Sequence, residues 1–228
     1  MLPEISIRSH SSDQFVLDRV LYSNLYRLNR FIPNSTVVDV GAHIGSFSIA
    51  SALNGASKIY SFEPSQLNYS VLIRNLANFS KDFLCFQLGV DVLSGFKHIG
   101  KPKMISSAFF ELADVSIKPS QDVEEGESCF FVKLSEILKS VKEDIYLLKV
   151  SAPNMELEIL NSCESLSLVE NLCFETNCEE SEANAILESL KNKGPFKNGL
   201  FEKVGQKTFL FLLSKEDLSI CFSKYRST

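Results

Sequence analysis

The sequence predicts an α/β fold: a doubly wound, mostly parallel sheet that closes with an antiparallel C-terminal hairpin strand. Three observations predict it. The stretch from Val37 to Pro64, VVDVGAHIGSFSIASALNGASKIYSFEP, reads as strand, glycine loop, helix, strand and a terminal acid. Short β-branched or apolar runs then recur between helical patterns, as in Ile145 to Val150, which suits strands covered on both faces. Last, Leu200 to Val204 and Thr208 to Leu213 flank Gly205-Gln206, the pattern of a hairpin at one sheet edge.

The elements follow in order. Asp13 is placed to cap a helix whose stripe is Phe15, Val16, Val20, Leu21, Leu25 and Leu28, ending before Pro33, so residues 1–33 read as a packing or lid segment. Val37 to Val40 is a buried strand, Gly41 to Gly45 a turn, and Ile44, Phe47, Ile49 and Leu53 have helical spacing. Lys58 to Phe62 is the next strand, ending at Glu63, and a helix from about Ser65 to Asn78 carries Leu67, Val71, Leu72 and Leu76. A strand from Phe83 to Leu88 completes a second unit. Residues 94–128 lose periodicity and gather Gly, Ser, Lys and Glu, so they read as a variable insertion of hairpin or loops. Phe130 to Val132 resumes as strand, Ser135 caps a short helix, and a helix starts near Met155 after the Ile145 to Val150 strand. Leu172 to Glu175 is a strand and Ser181 to Lys193 a helix that Gly194-Pro195 stops.

At 228 residues and 45% hydrophobic content, the chain reads as one domain, 1–228, around one sizeable core. Its net charge of -5 and pI near 5.3 argue against a broad phosphate-tracking surface, and so against nucleic acid as partner. Six cysteines without a CxxC pair read as reduced, buried small hydrophobes. No run approaches the ~18 apolar residues of a membrane span, and the first ten residues carry no apolar leader core. The expected location is the cytosol.

The turn at 41–45 feeds a helix N-terminus, where unpaired N–H groups and the helix dipole favour an anionic or polar ligand group. Glycine at 41 and 45 keeps bulk away from that approach. Glu63 then stands where a ribose diol would lie. A dinucleotide fingerprint would need glycine at His43 and Ser46, so a pyrophosphate is not provided for. S-adenosylmethionine, which has an amino-acid head, a sulfonium, a ribose and an adenine but no phosphate, fits better. Asp39 would face its ammonium end; the alternative is that Asp39 caps the loop and Glu63 the following helix.

Taken together, these blocks resemble the FkbM family of S-adenosylmethionine-dependent methyltransferases, over roughly Asp13 to Leu213. The blocks are DVGAHIGSFS at 39–48, FEPSQLNYSVLIRNL at 62–76, LGVDVLSG at 88–95, VKLSEIL at 132–138, LLKVSAPNMELEIL at 147–160 and LCFET at 172–176. The resemblance implies a Rossmann-like class I methyltransferase sheet. It also implies that Gly41, Ala42, His43 and Gly45 surround the methionine portion, that Glu63, followed by Pro64, holds the ribose, and that Val90 and Asp91 border the adenine. Asp91 is placed to accept from the adenine amine; the other reading is a solvated turn acid beside Ser94-Gly95. No metal site is implied.

The chain departs from the family at the fourth strand end. The usual Lys-hydrophobic-Asp-hydrophobic-Glu-Gly and further Glu are here Lys149, Val150, Ser151, Ala152, Pro153, Asn154, Met155 and Glu156, so two acids and a glycine are absent. Candidates for the missing proton acceptor are Glu156, Glu175 and His43, each of which has a structural reading as cap or packed loop residue. Lys149 either steers an anionic substrate or pairs with Glu175. The leading expectation is an O-methyltransferase acting on a hydroxyl of a small metabolite, sugar or glycan. The alternative is a cofactor-binding, catalytically silent partner protein. RNA ribose methylation is a third reading that the acidity opposes.

Overall fold

The computed structural model describes residues 4–29, 31, 34–77, 79, 82–100 and 126–223. Its seven-stranded sheet has the order β3-β2-β1-β7-β8-β10-β9. The strands are β1 (Thr36–Val40), β2 (Lys58–Phe62), β3 (Asp82–Phe86), β7 (Ile145–Val150), β8 (Val169–Asn177), β9 (Asn198–Lys203) and β10 (Thr208–Ser214). Pairings from β3 through β8 are parallel, while β10 lies antiparallel to both β8 and β9. The expected doubly wound sheet with an antiparallel closing strand is therefore present. Strand order reverses between β1 and β7, the position at which open α/β sheets in general bind ligands, outside the carboxyl ends of the strands.

Alternation along the strands explains why both faces are covered. Val38 and Val40 of β1, Leu148 and Val150 of β7 and Phe211 and Leu213 of β10 enter one buried cluster, which α4 (Leu134–Ser140), α5 (Glu156–Ser162) and α6 (Glu180–Lys193) complete. Val37, Leu147, Cys173 and Leu212 point to the other face, against Phe47 and Ala50 of α2 (Ser46–Leu53). Val20, Tyr26 and Leu28 of the N-terminal segment join that second cluster. Helix α3 (Gln66–Leu76) packs Leu72 and Leu76 against Ala42 and Ile49.

Three sequence expectations change. The N-terminal helix is shorter than its stripe: α1 (Asp13–Leu17) passes into a π-helical turn (Asp18–Tyr22) and stops. Asn24 and Arg27 have left-handed backbones, and the Asn24 side chain bonds both the N–H and the carbonyl of Leu28, so a local turn outcompetes the helix. Leu25 and Leu28 lie beyond it, with Leu28 in a bridge to Phe222. Second, α4 begins at Leu134 after Lys133, so Ser135 is inside the helix rather than its cap. Third, a small sheet of order β4-β6-β5 stands apart from the main one. In it β4 (Gly89–Asp91) runs parallel to β6 (Gly126–Lys133), and β5 (Gly95–Gly100) antiparallel to it. The ends of the 94–128 insertion are thus a hairpin; 101–125 lie outside the described residues.

The cysteines are all free, as expected, and Cys129, Cys163, Cys173 and Cys221 are buried. Among the described residues no helix is long and apolar enough to cross a membrane, and no group of His, Cys, Asp and Glu side chains is arranged to hold a metal ion.

Candidate functional site

The carboxyl ends of β1, β2, β7 and β8 collect most of the expected residues. At β1, Asp39 is fully buried, and the parallel register sets it beside Ser61 of β2 and Lys149 of β7. Its Oδ2 accepts from Ser48 Oγ at 2.7 Å and its Oδ1 from Lys149 Nζ at 3.0 Å. Lys149 donates also to the carbonyls of Val40 (3.1 Å) and Gly41 (2.7 Å), which uses all three ammonium protons. Lys149 therefore pairs with Asp39 and ties down the turn, and has no proton left for an anionic substrate. Its expected partner Glu175 is held elsewhere, by Arg19 at 2.8 Å and the Tyr26 hydroxyl at 3.1 Å, both from the N-terminal segment.

The turn satisfies most of its own amides. The N–H groups of Gly41 and Ala42 donate to the Phe62 carbonyl, that of Gly45 to Ala42, and that of His43 to Glu63 Oε2 at 2.9 Å. These four are not free to bind a ligand, because the turn folds tightly against the end of β2; the helix N-terminus expected from sequence to meet a ligand begins after them, at Ser46. The glycines also answer to the chain itself. A Cβ on Gly41 (φ +72°) would lie 1.8 Å from the Ser151 carbonyl oxygen, and one on Gly45 (φ +93°) 2.9 Å from Leu72 Cδ1. What the turn offers instead is side-chain atoms. His43 Nε2 lies 3.5 Å from Asp13 Oδ1, a contact without a hydrogen bond, and the other ring nitrogen is Nδ1. That Nδ1 and the Ser46 Oγ are buried without a partner among the described residues. Burial lowers the His43 pKa to about 4, so the ring is neutral.

Glu63 is 5% exposed and accepts three bonds: from His43 N–H, Ser65 N–H at 3.0 Å and Asn68 Nδ2 at 3.1 Å. Burial pushes its pKa up, while those donors pull it back. A carboxylate has about four acceptor positions, so one remains. Its bond to Ser65 just before α3 means that the capping reading of Glu63 holds alongside any ligand role. Pro64 follows it, half-buried.

Asp91, expected at the adenine, is buried in β4 and pairs with Lys97 while accepting from Val92 N–H. The reading of a solvated turn acid is therefore corrected: the hairpin brings Lys97 of β5 over it. Val90 beside it belongs to the main core.

Glu156 opens α5, just past the end of β7, and is 6% exposed. Burial raises its pKa to about 7; its own N–H and that of Ala152 work against the rise, and the charge of Glu175 adds to it. The segment in which two family acids are absent thus still delivers a carboxyl group that titrates near neutrality.

Sequence reasoning missed Arg8, Asn68, Arg19 and Tyr26, and read Asp13 only as a cap. Asp13 is fully buried: burial alone would raise its pKa, but the bidentate Arg8 guanidinium outweighs that and holds it down. No spacing in the sequence announces these contacts, which join segments up to 156 residues apart.

No protein-family model matches the sequence, and no curated protein does. Solved structures do match. The M. capricolum TrmK in complex with S-adenosylhomocysteine aligns at TM-score 0.50 with 12% identity, over 93% of this chain and 71% of that one. The methyltransferase FkbM from Methylobacillus flagellatus aligns at TM-score 0.50 and 13% identity, over 85% of this chain and 47% of that one. A conserved hypothetical protein from Streptococcus pyogenes aligns at TM-score 0.51 and 10% identity, over 87% and 95%. The fold is the one that these solved structures have. At these identities the likeness concerns the fold, and the site must be argued from its own residues.

Proposed function

We propose that the protein is an S-adenosylmethionine-dependent O-methyltransferase acting on a hydroxyl of a small metabolite, sugar or glycan. The observation that carries this reading is Glu156, a carboxyl 6% exposed at the start of α5, in the connection after β7, whose burial raises its pKa to about 7. The turn fits the cofactor through its orphaned atoms. His43 Nδ1 suits an ammonium group, Ser46 Oγ a carboxylate or a water, and the open acceptor position of Glu63 a ribose hydroxyl. Gly41, Ala42 and Gly45 shape the turn, Asp39 and Lys149 brace it, and Val90 and Asp91 would border the base.

When bound, S-adenosylmethionine supplies an electrophilic methyl carbon on a positively charged sulfur. The remaining requirements fall to the chain: to hold the acceptor oxygen in line with that carbon and to take its proton. Glu156 is the assigned base. Glu175 is a weaker candidate, since Arg19 and Tyr26 already occupy its two oxygens, and neutral His43 serves better as an acceptor for the cofactor. A net charge of -5 favours a small acceptor over nucleic acid. The alternative, a cofactor-binding but silent protein, draws on Lys149, Glu63 and Asp91 all having protein partners.

An assay separates the two. Protein, S-adenosylmethionine and a panel of hydroxylated acceptors are incubated and S-adenosylhomocysteine is measured. Release is expected to climb with pH through about 7 as Glu156 loses its proton, and Glu156→Gln is expected to lower the rate 100-fold or more. Binding without release across the panel would favour the silent reading; release by both proteins at equal rates would remove Glu156 as the base.

A further inference from the structure

Five residues form a ring of contacts beside the carboxyl end of β2. Arg8 forks onto Asp13 at 2.7 and 2.9 Å and donates from Nη2 to Asn68 Oδ1 at 2.7 Å. Asn68 Nδ2 donates to Glu63 Oε1, Glu63 Oε2 accepts from His43 N–H, and His43 Nε2 stands 3.5 Å from Asp13 Oδ1 without a hydrogen bond. The Asn68 amide orientation is forced, because a guanidinium only donates and a carboxylate only accepts. Asn68 is thus a relay whose one end holds the N-terminal segment and whose other end occupies the carboxylate proposed for the ribose.

We propose that this ring is a latch: residues 5–13 form a strap fastened to Glu63 through Asn68, and entry of an adenosyl ligand unfastens it. The inference rests on the cofactor reading above. Two vicinal hydroxyls offer two donors, whereas Glu63 has one acceptor position open. One of the three present donors must therefore leave. Two of them are backbone N–H groups fixed by the turn and by the start of α3; the third, Asn68, sits on a side chain that is free to rotate. When its Nδ2 leaves Glu63, its Oδ1 leaves Arg8. Among the described residues the strap then keeps the 3.5 Å contact of Asp13 to His43, the pair of bonds between Ser6 and Asn75, and the packing of Ile5 on the cluster of Leu72 and Leu76. Arg19 and Tyr26 on Glu175 stay fastened and act as the hinge end.

The test uses S-adenosylhomocysteine as probe, by calorimetric titration of the wild type and of Asn68→Ala, with amide hydrogen exchange of the unmodified protein as a second measurement. Asn68→Ala leaves the Arg8–Asp13 pair intact and vacates a position on Glu63, so about tenfold tighter binding is expected. In the wild type, exchange of amides 5–13 is expected to quicken when the probe is added. Equal or weaker binding by Asn68→Ala, or exchange that slows, overturns the latch while leaving the cofactor reading intact, because binding has been seen. Absence of binding by both proteins overturns both.

Discussion

Gly41→Ala is expected to destabilise the fold by more than about 3 kcal/mol, which for a chain of this size lowers the melting temperature by roughly 10 °C. Two effects add. The left-handed backbone at φ +72° costs about 1–2 kcal/mol for a residue with a Cβ. The new Cβ would also stand 1.8 Å from the Ser151 carbonyl oxygen, so the β7–α5 connection must back away by more than an ångström. That motion pulls on the Ser151 N–H bond to the Val40 carbonyl (3.0 Å) and on the Lys149 bond to the Gly41 carbonyl. Gly55→Ala is the control. Gly55 also has a positive φ, but its nearest neighbour to a Cβ is at 3.5 Å, so only the backbone penalty of about 1–2 kcal/mol is expected. Denaturant midpoints measured side by side check this; equal losses at the two positions would mean that Ser151 does not seal the turn.

Lys149→Met is expected to cost about 3–5 kcal/mol, because it strands Asp39 as an unpaired charge in the protein interior. The Asp39 carboxylate keeps one donor, Ser48, and loses its counter-charge. Removing both charges together, with Asp39→Asn and Lys149→Met, is expected to cost less than the sum of the single changes, since the buried pair itself is close to neutral in net worth. A denaturant double-mutant cycle measures the coupling. A single-variant loss below about 1 kcal/mol would contradict the reading of Lys149 as a brace and return it to the candidates for substrate contact.

Much of the sheet was legible because its information is local. Lys58–Phe62 and Ile145–Val150 are found at the expected bounds, since runs buried on both faces announce themselves by composition. The closing hairpin was likewise marked by Gly205-Gln206 between two apolar runs. The small second sheet was not legible: β4 is three residues long, and its partner β6 lies some forty positions away. The end of the N-terminal helix was hidden for another reason, that the Asn24 side chain diverts the backbone while the apolar stripe runs on to Leu28.

The site divides the same way. Gly41, Gly45, Glu63 and Glu156 were readable as motif positions, but what occupies them was not. The turn amides are consumed by Phe62 and Glu63, and the pairing of Lys149 with Asp39 follows from strand register rather than from any motif. Arg8 and Asp13 reach the site only through the path of the N-terminal segment across α3 and the turn. Composition carries no trace of such a crossing.

The central claim is that the turn after β1 and the acid ending β2 together grip an adenosyl amino acid. Calorimetric titration of the wild-type protein with S-adenosylhomocysteine tests it most directly. Saturable binding at one site per chain is expected, with a matching rise in melting temperature. No heat and an unmoved melting curve at millimolar ligand would contradict it.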